Sequence, residues 1–204
     1  MEWRNIILRI SVVVTTYNGK MHLEKQLLSL LQQERAPDEV LIFDDGSTDG
    51  TIELVQSFIR KNCLESWQFY VNAKRKGWKQ NFMEGLRKAA GDILFPCDQD
   101  DIWYPRKLAE MTAVMEQHPE IKLLACDYRV LYESGALKAT VYKKTPAETQ
   151  GLITRYGFTK HFFMNPYPGC TYAVRRDFFD AVKELWFDGS PHDEFLWLMA
   201  AVQD

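Results

Sequence analysis

Two short acidic segments contain the residues whose types and spacing are best suited to chemistry. The first is Asp98-Gln99-Asp100-Asp101. Carboxylates at this density repel one another, and a divalent cation relieves that repulsion. Mg²⁺ and Mn²⁺ prefer oxygen ligands, typically one or two carboxylates together with phosphate oxygens. The alternative is a solvated acidic turn in which Asp101 helps to start a following helix, and the segment alone does not decide between the two.

The second acidic segment is Asp44–Gly50, with the sequence DDGSTDG. Its later part, Ser47–Asp49, has the side chains that commonly cap a helix, here one predicted to begin at Thr51. Capping does not explain Asp44 and Asp45, which directly follow an apolar run. A carboxylate at that position could accept hydrogen bonds from a nucleobase N–H or from a ribose hydroxyl.

The elements that must position these segments alternate between strand and helix. The apolar runs predict strands and the 3.6-residue stripes predict helices, with Gly91 expected to stop the third helix. This alternation predicts an α/β fold with a mostly parallel central sheet and helices on both faces. The expected strands are Ile10–Thr15, Glu39–Phe43, Trp67–Val71 and Ile93–Cys97, and the expected helices are His22–Leu31, Thr51–Arg60, Trp78–Ala90 and Pro105–Gln117.

Ligands of such sheets bind outside the carboxyl ends of the strands. The loops that leave those ends are the most polar segments of the first half, namely Thr16–Lys20, Asp44–Gly50 and Asp98–Tyr104. The positions of these loops and their polar side chains therefore both indicate a ligand site at the carboxyl edge of the sheet.

The alternation is less regular after Leu123. We expect strands at Leu123–Tyr132 and Gly169–Val174, and helices at Arg176–Leu185 and Asp193–Val202. An aromatic cluster could belong to the core or line a cavity, and the pattern favours the core; its members are Phe158, Phe162, Phe163 and Tyr167.

Composition limits the classes of partner. The chain has 204 residues, which suits one domain spanning 1–204, and its net charge of −3 provides no global attraction to nucleic acid. The four cysteines lack metal-ligand spacing, so they are expected to be small buried apolar residues in a reducing compartment. No apolar run reaches the ~20 residues of a spanning helix. We therefore expect a cytoplasmic protein, with peripheral membrane attachment through the amphipathic Met1–Leu8 left open.

Three motifs in order, SVVVTTYNG, DDGSTDGT and GWKQNFMEGLRKAAGDILFPCDQDD, resemble those of the family 2 glycosyltransferases. The resemblance covers roughly residues 10–132 and resumes over 166–197. It implies the GT-A fold, a Rossmann-like nucleotide-binding fold. The segments CDQDDIW, PGCTYAVRR and HDEFLW are similar to those of the rhamnosyltransferase-type branch, which builds bacterial surface polysaccharides.

The resemblance implies roles for individual residues. Thr15 and Tyr17 match residues that line the nucleobase pocket, and Asp45 matches the carboxylate that hydrogen-bonds the base. Asp98 matches the acid near the ribose, Asp100 the acid that binds Mn²⁺ or Mg²⁺, and Asp193 the catalytic base. Many relatives have Glu-Asp where this chain has His192-Asp193. Without the resemblance, Asp193 would be interpreted as a first-turn acid that stabilises its helix.

The basic segment KRKGWK, at Lys74–Lys79, could face a diphosphate. A solvated loop is the alternative, which we favour for Lys74 and Arg75, whereas Lys79 is the better candidate for a nucleotide contact.

The implied activity is inverting transfer of a sugar from a nucleoside-diphosphate sugar, with a deoxythymidine or uridine carrier, to an acceptor hydroxyl. The acceptor would be a saccharide or a lipid-linked saccharide. Residues 1–132 would form the half that binds the nucleotide sugar and 133–204 the acceptor-side half. Relatives of this branch usually continue further, so we expect the acceptor-side half to be incomplete.

Rival classes share parts of this pattern. A haloacid-dehalogenase-type phosphatase would place its Asp-x-Asp motif on the first strand rather than the fourth. A sugar nucleotidyltransferase would have a glycine-rich loop after the first strand, where this chain has Gly19 alone. A nucleotide-sugar-binding module without turnover would share both acidic loops, so Asp193 and an activity assay would distinguish it.

Overall fold

The computed structural model describes residues 7–131, 137–139, 153–156 and 165–203, with the backbone alone described for 137–139. Phe158, Phe162 and Phe163 of the aromatic cluster lie outside these residues, as does Met1–Ile6 of the amphipathic start. Tyr167 packs against the apolar core, as favoured from the sequence.

Strand and helix alternate four times in the first half, as the apolar pattern predicted. The strands are β1 (Ile10–Thr16), β2 (Glu39–Asp44), β3 (Trp67–Val71) and β4 (Ile93–Asp98), and the helices that follow them are α1 (Lys20–Leu31), α2 (Thr51–Lys61), α3 (Trp78–Lys88) and α4 (Lys107–Gln117).

The second half supplies shorter elements. They are β5 (Leu123–Ala125), β6 (Arg129–Leu131), β7 (Leu137–Ala139), β8 (Tyr172–Arg175), α5 (Arg176–Val182) and α6 (His192–Val202), with 3₁₀ turns at Gly169–Thr171 and Lys183–Leu185.

Among the described residues, six strands form the main sheet in the order β3-β2-β1-β4-β8-β5. The first four strands are mutually parallel, whereas β8 runs antiparallel to both β4 and β5. β6 and β7 form a separate antiparallel pair. The sheet is therefore mostly parallel, as predicted.

Helices cover both faces of this sheet, which explains why β1 is buried along its whole length and apolar at its centre. Side chains of β1 alternate between the two faces: Val12 and Val14 contact the core beneath α1, α2 and α4, while Val13 contacts the core beneath α3, α5 and α6. This double cover anchors the strands whose carboxyl ends carry the loops.

Three sequence predictions need correction. The strand expected at Leu123–Tyr132 is two short strands in different sheets, β5 and β6, because the chain pairs first with β8 and then with β7. Helix α3 ends at Lys88, since Ala89 is already extended. Gly91, expected to stop that helix, instead donates its amide to Ser11 Oγ of β1 at 2.7 Å.

The cysteines differ in their exposure. Cys63 is exposed, contrary to the expectation of buried cysteines, whereas Cys97 is buried as expected.

Among the described residues, no helix combines the length and apolar character that crossing a bilayer requires.

Candidate functional site

The carboxyl ends of three neighbouring strands bring the predicted site loops together. Thr15 of β1 is the register partner of Asp98 of β4, and Thr16 of β1 is the partner of Asp44 of β2. Thr15 is almost completely buried, while Tyr17 just beyond it is partly exposed. The loops after β1, β2 and β4 thus open onto one edge of the sheet, as their sequence order predicted.

Asp44 and Asp45 are adjacent but have different environments. The fully buried Asp44 accepts four hydrogen bonds from the protein: from the amides of Gly46 and Ser47 at 3.0 and 2.7 Å, and from the hydroxyls of Thr16 and Ser47 at 2.7 and 2.6 Å. Four donors fill the lone pairs of a carboxylate. Asp44 therefore holds the loop in shape and has no oxygen to offer a ligand.

Asp45 binds the segment that leads into α3. Its Oδ1 accepts from Lys76 N at 2.7 Å and Asn72 Nδ2 at 3.1 Å, and its Oδ2 accepts from Gly77 N at 2.8 Å. Burial raises the pKa of this carboxyl, but the hydrogen bonds from Lys76, Asn72 and Gly77 outweigh it, so the pKa is below its ordinary value. Asp45 is consequently an anion at neutral pH.

Gly77 makes this arrangement possible. Its φ of 86° and ψ of 152° belong to a region that residues with a Cβ rarely adopt. The chain can therefore turn into α3 while the Gly77 amide remains directed at Asp45.

Arg75 contacts two of the three residues that the resemblance assigned to the nucleobase, Tyr17 and Asp45. Its guanidinium carbon lies 3.9 Å from the centroid of the Tyr17 ring, and its Nε lies 3.7 Å from Asp45 Oδ2. The Arg75 side chain is 65% exposed, whereas that of Asp45 is 3% exposed. Arg75 is an exposed loop residue, as the sequence favoured, but its contacts with Tyr17 and Asp45 were not predicted.

Gln99 joins the loop after β4 to the loop after β1. Its Oε1 accepts from the Tyr17 amide at 2.8 Å, and its Nε2 donates to the Tyr17 carbonyl at 3.3 Å. The residue between the two predicted acids thus fixes the backbone that carries the Tyr17 ring.

The acidic loop after β4 is electrostatically strained. Burial, together with the negative charges of Asp101, Asp100 and Asp193, raises the pKa of Asp98 to about 7, while Lys107 acts in the opposite direction. Burial also raises the pKa of Asp101. These carboxyls are crowded in the way that the sequence suggested. A single lysine does not neutralise their combined charge.

Cys170 completes a potential ligand group with two of these acids. Asp98, Asp101 and Cys170 each offer one ligand atom, and the three atoms lie within 4.8 Å of one another. Asp101 Oδ2 is buried without a hydrogen-bond partner among the described residues. Asp100 is exposed and does not belong to this group. The cysteines gave no sign of a metal site in the sequence, and the role of Asp100 stays a prediction.

Asp193 lies in the first turn of α6, close enough to Asp98 for its charge to raise the pKa of that carboxyl. Gly169 permits this approach, because a Cβ there would lie 3.0 Å from Asp193 Cβ and 2.4 Å from His192 Nε2. Asp193 Oδ1 accepts from the amide of Glu194 at 2.9 Å. That local bond is expected of an acid that stabilises the first turn of its helix. The charge interaction with Asp98 is expected of a residue in the site, and the role of Asp193 as the base stays a prediction.

His192 is buried between aromatic rings. Its ring stacks on Phe82 with centroids 4.0 Å apart and meets the Trp78 ring edge-on at 5.8 Å. Burial lowers its pKa to about 4, and neither ring nitrogen has a hydrogen-bond partner among the described residues. His192 is therefore a neutral, packed side chain beside Asp193.

Lys79 joins α3 to the turn before α6. Its Nζ donates to the carbonyl of Gly189 at 2.5 Å and lies 5.7 Å from the Trp78 ring centroid. Its predicted contact with a diphosphate remains untested.

Several residues of this edge were missed from the sequence. Asn72 lies in an irregular loop, Lys107 begins the helix that follows the acidic loop, and Cys170 approaches Asp98 from a distant turn, so no spacing rule indicated them. Gln99 was the exception, since its position between two site acids was itself a signal.

Comparison with known proteins identifies the family. The sequence model of the family described as "Glycosyl transferase family 2" matches residues 11–181. The chain belongs to glycosyl transferase family 2. The motifs that suggested this family are the same ones that the sheet brings together at its carboxyl edge.

Individual curated relatives resemble the chain over different spans. The dTDP-rhamnosyl transferase RfbG of Shigella flexneri is 24% identical over 206 residues, covering 94% of this chain and 66% of RfbG. The poly(ribitol-phosphate) β-N-acetylglucosaminyltransferase TarS of Staphylococcus aureus is 28% identical over 155 residues, covering 75% of this chain and 26% of TarS. The chain thus spans only part of the length of these relatives.

Solved structures support the fold. S. aureus TarS 1–349 in complex with UDP-GlcNAc superimposes with a TM-score of 0.72 at 20% identity, covering 95% of this chain and 53% of that protein. The mannosyltransferase PcManGT of Pyrobaculum calidifontis, in complex with GDP-Man and Mn²⁺, gives a TM-score of 0.63 at 22% identity, covering 86% of this chain and 46% of that protein. At these identities the similarity establishes the GT-A fold.

Proposed function

We propose that this chain transfers a sugar from a nucleoside-diphosphate sugar to an acceptor hydroxyl, with inversion at the anomeric carbon. The observation that carries the proposal is the approach of acids from separate elements: Cys170 Sγ lies within 4.8 Å of a carboxylate oxygen of Asp98 at the end of β4, and the preceding Gly169 lies against Asp193 of α6. Such a concentration of acid at the carboxyl edge of a parallel sheet suits a site for nucleotide, cation and base.

The nucleotide would lie across the tips of β1, β2 and β4. Tyr17 offers a ring face to a nucleobase, and the ionised Asp45 offers an acceptor for its N–H. Thr15 would line the floor of the base pocket, and Asp98 would lie toward the ribose. UDP-GlcNAc bound to TarS, GDP-Man bound to PcManGT and the dTDP in the name of RfbG favour a nucleoside diphosphate as the donor carrier.

A divalent cation fits the acidic loop. The raised pKa of Asp98 and the unpartnered oxygen of Asp101 are the features expected of carboxylates that lack a counter-ion. We assign the exposed Asp100 as the main ligand of Mn²⁺ or Mg²⁺, because it can also meet phosphate oxygens. When bound, the cation offsets the negative charge that develops on the leaving diphosphate.

Asp193 would act as the base. The attacking hydroxyl must lose its proton, and a carboxylate can accept it when it lies within hydrogen-bond reach. A single displacement assisted by one base inverts the anomeric configuration. The acceptor would be a saccharide or lipid-linked saccharide of a bacterial surface polysaccharide, with a rhamnosyl donor suggested by the likeness to RfbG, and it would be met at the inner face of the membrane.

A nucleotide-sugar-binding module without turnover is the second candidate. It is favoured by the bond between Asp193 Oδ1 and the Glu194 amide, which is explained without any reaction. The two candidates share the donor site and differ only in what Asp193 does.

Calorimetric titration with UDP, dTDP and GDP, with and without Mn²⁺, tests the donor site. We expect one of them to bind more tightly with Mn²⁺. Asp100→Ala should remove the Mn²⁺-dependent part, while Asp188→Ala, at an exposed acid in the turn before α6, should not. Equal binding with and without Mn²⁺ in the parent protein would contradict the cation role.

Sugar transfer tests the base. Release of nucleoside diphosphate should be measured with extracted lipid-linked saccharides as acceptors, for Asp193→Asn and for the matched control Glu194→Gln at the exposed neighbouring acid. Asp193→Asn should preserve nucleotide binding and reduce transfer by at least about 100-fold. Unchanged transfer would place the base elsewhere, and absence of transfer in the parent protein would favour the binding module.

A further inference from the structure

Arg75 places a flat, positively charged group where a nucleobase is expected. The guanidinium carbon is 3.9 Å from the Tyr17 ring centroid, which is a stacking distance, and Nε is 3.7 Å from Asp45 Oδ2. A nucleobase bound to Tyr17 and Asp45 would need the same two contacts: one flat face on the ring and one N–H directed at the carboxylate.

Arg75 and a nucleobase cannot both occupy the same face of Tyr17 and the same acceptor site of Asp45. A ring face has room for one stacked group at van der Waals distance, and Asp45 already accepts three hydrogen bonds from Lys76, Asn72 and Gly77. A carboxylate has about four lone-pair sites, so at most one remains. Arg75 and a base would compete for that site and for the face of Tyr17.

The neighbouring backbone keeps Arg75 in range of the pocket. The amides of Lys76 and Gly77, which directly follow Arg75, are both bound to Asp45. The side chain itself is 65% exposed, and its ring contact with Tyr17 and its ion pair with Asp45 are both of a weak kind. It is therefore tethered at its base and exposed at its tip, as a displaceable group must be.

We propose that Arg75 occupies the nucleobase position in the empty protein, and that a base binds only by displacing the guanidinium from Tyr17 and Asp45. The inference rests on the proposed function, since it requires that Tyr17 and Asp45 form the base pocket. Arg75 is then a determinant of donor affinity: it lowers the population of protein that is open to the base, which weakens apparent binding by the same factor.

The expected size follows from the contacts. A cation–π contact at an exposed site and an ion pair with one exposed partner are each small. Together they correspond to about five-fold in affinity, the ratio that ~1 kcal/mol produces. The change in affinity should be equal for uridine and thymidine, because the same guanidinium is displaced in both cases.

Nucleosides are the suitable probes, since they have no phosphate that a displaced arginine could bind. Dissociation constants for uridine and thymidine should be measured by NMR titration of the full chain, for the parent protein, Arg75→Ala and Lys74→Ala. Lys74 is the matched control, as an exposed cation one residue away. We expect Arg75→Ala to tighten both nucleosides about five-fold and Lys74→Ala to leave both unchanged.

Salt provides a second, independent measurement. Added NaCl screens the Arg75–Asp45 pair, so uridine should bind the parent protein more tightly at 0.5 M than at 0.05 M NaCl. Arg75→Ala should show no such dependence. A neutral ligand without a charged competitor would bind with equal affinity at the two salt concentrations.

The outcomes separate this inference from the proposed function. If Arg75→Ala binds uridine equally or more weakly than the parent protein, while UDP still binds, the arginine is not a competitor and the inference is wrong. If neither nucleosides nor UDP bind the parent protein, the proposed function fails and this inference fails with it.

Discussion

Gln99 holds the backbone of Tyr17 from both sides: its Oε1 accepts from the Tyr17 amide at 2.8 Å, and its Nε2 donates to the Tyr17 carbonyl at 3.3 Å. These bonds join the acidic loop after β4 to the loop after β1. The predicted cation end and the predicted base end of the site therefore form one connected unit.

Gln99→Ala should weaken UDP binding through this connection. Loss of both bonds releases Tyr17 and should reduce affinity by about three- to ten-fold, since each hydrogen bond contributes roughly 0.5–1.5 kcal/mol. Calorimetric titration checks this, with Gln32→Ala at the exposed end of α1 as the control. Equal affinity in Gln99→Ala and Gln32→Ala would show that the two loops act separately.

Asp44→Ala should destabilise the fold rather than affect binding alone. The substitution leaves the amides of Gly46 and Ser47 and the hydroxyl of Thr16 without their acceptor in a buried place. We expect a loss of about 2–3 kcal/mol in the free energy of unfolding, measured by urea denaturation. Asp188→Ala, at an exposed acid, is the control. A loss no larger than that of the control would contradict the structural role of Asp44.

The raised pKa of Asp98 predicts a pH dependence of stability in metal-free protein. The carboxyl has a pKa of about 7 in the fold and its ordinary value of about 3.8 when unfolded. The folded state thus binds more protons than the unfolded state between those values, so the contribution of Asp98 to stability is present at low pH and is lost as pH rises through about 4 to 7.

Thermal unfolding with a chelator checks this expectation. The melting temperature of Asp98→Asn should exceed that of the parent protein at pH 8 by roughly 2–4 °C for ~1 kcal/mol, and the difference should vanish near pH 4. Asp188→Asn serves as the control. A parent protein that is the more stable at pH 8 would contradict the prediction.

His192 contributes with the opposite sign. Its pKa is about 4 in the fold, lowered by burial from its ordinary value of 6.5. The unfolded chain takes up a proton first, so this contribution to stability is present above about pH 6.5 and is lost as pH falls toward 4. The C2 proton resonance of His192, followed by NMR, should keep its neutral position down to about pH 5. A midpoint near 6.5 would show that the ring is accessible to water.

The first half of the fold could be predicted because parallel strands covered on both faces are continuously apolar. Val12, Val13 and Val14 indicated a buried strand whichever face each occupies. Leu123–Tyr132 was misinterpreted for the same reason: apolarity marks a strand but does not say where pairing passes from one sheet to another.

The candidate site was predicted in outline and incompletely in its contacts. Asp45, Asp98 and Tyr17 follow strands whose ends meet, so their positions followed from the order of elements. Arg75 did not, because its contact depends on how Gly77 turns the chain into α3. Cys170 approaches Asp101 from a turn 69 positions away, a pairing that local sequence cannot indicate.

The central claim is that aspartates at neighbouring strand tips hold a cation against a diphosphate while Tyr17 and Asp45 hold its base. A crystal structure of the protein soaked with UDP and Mn²⁺, with anomalous data at the manganese edge, tests it most directly. We expect the anomalous peak beside the Asp100 carboxylate and the uracil ring on Tyr17. A manganese peak away from the loop after β4, or a uracil ring away from Tyr17 and Asp45, would contradict the account.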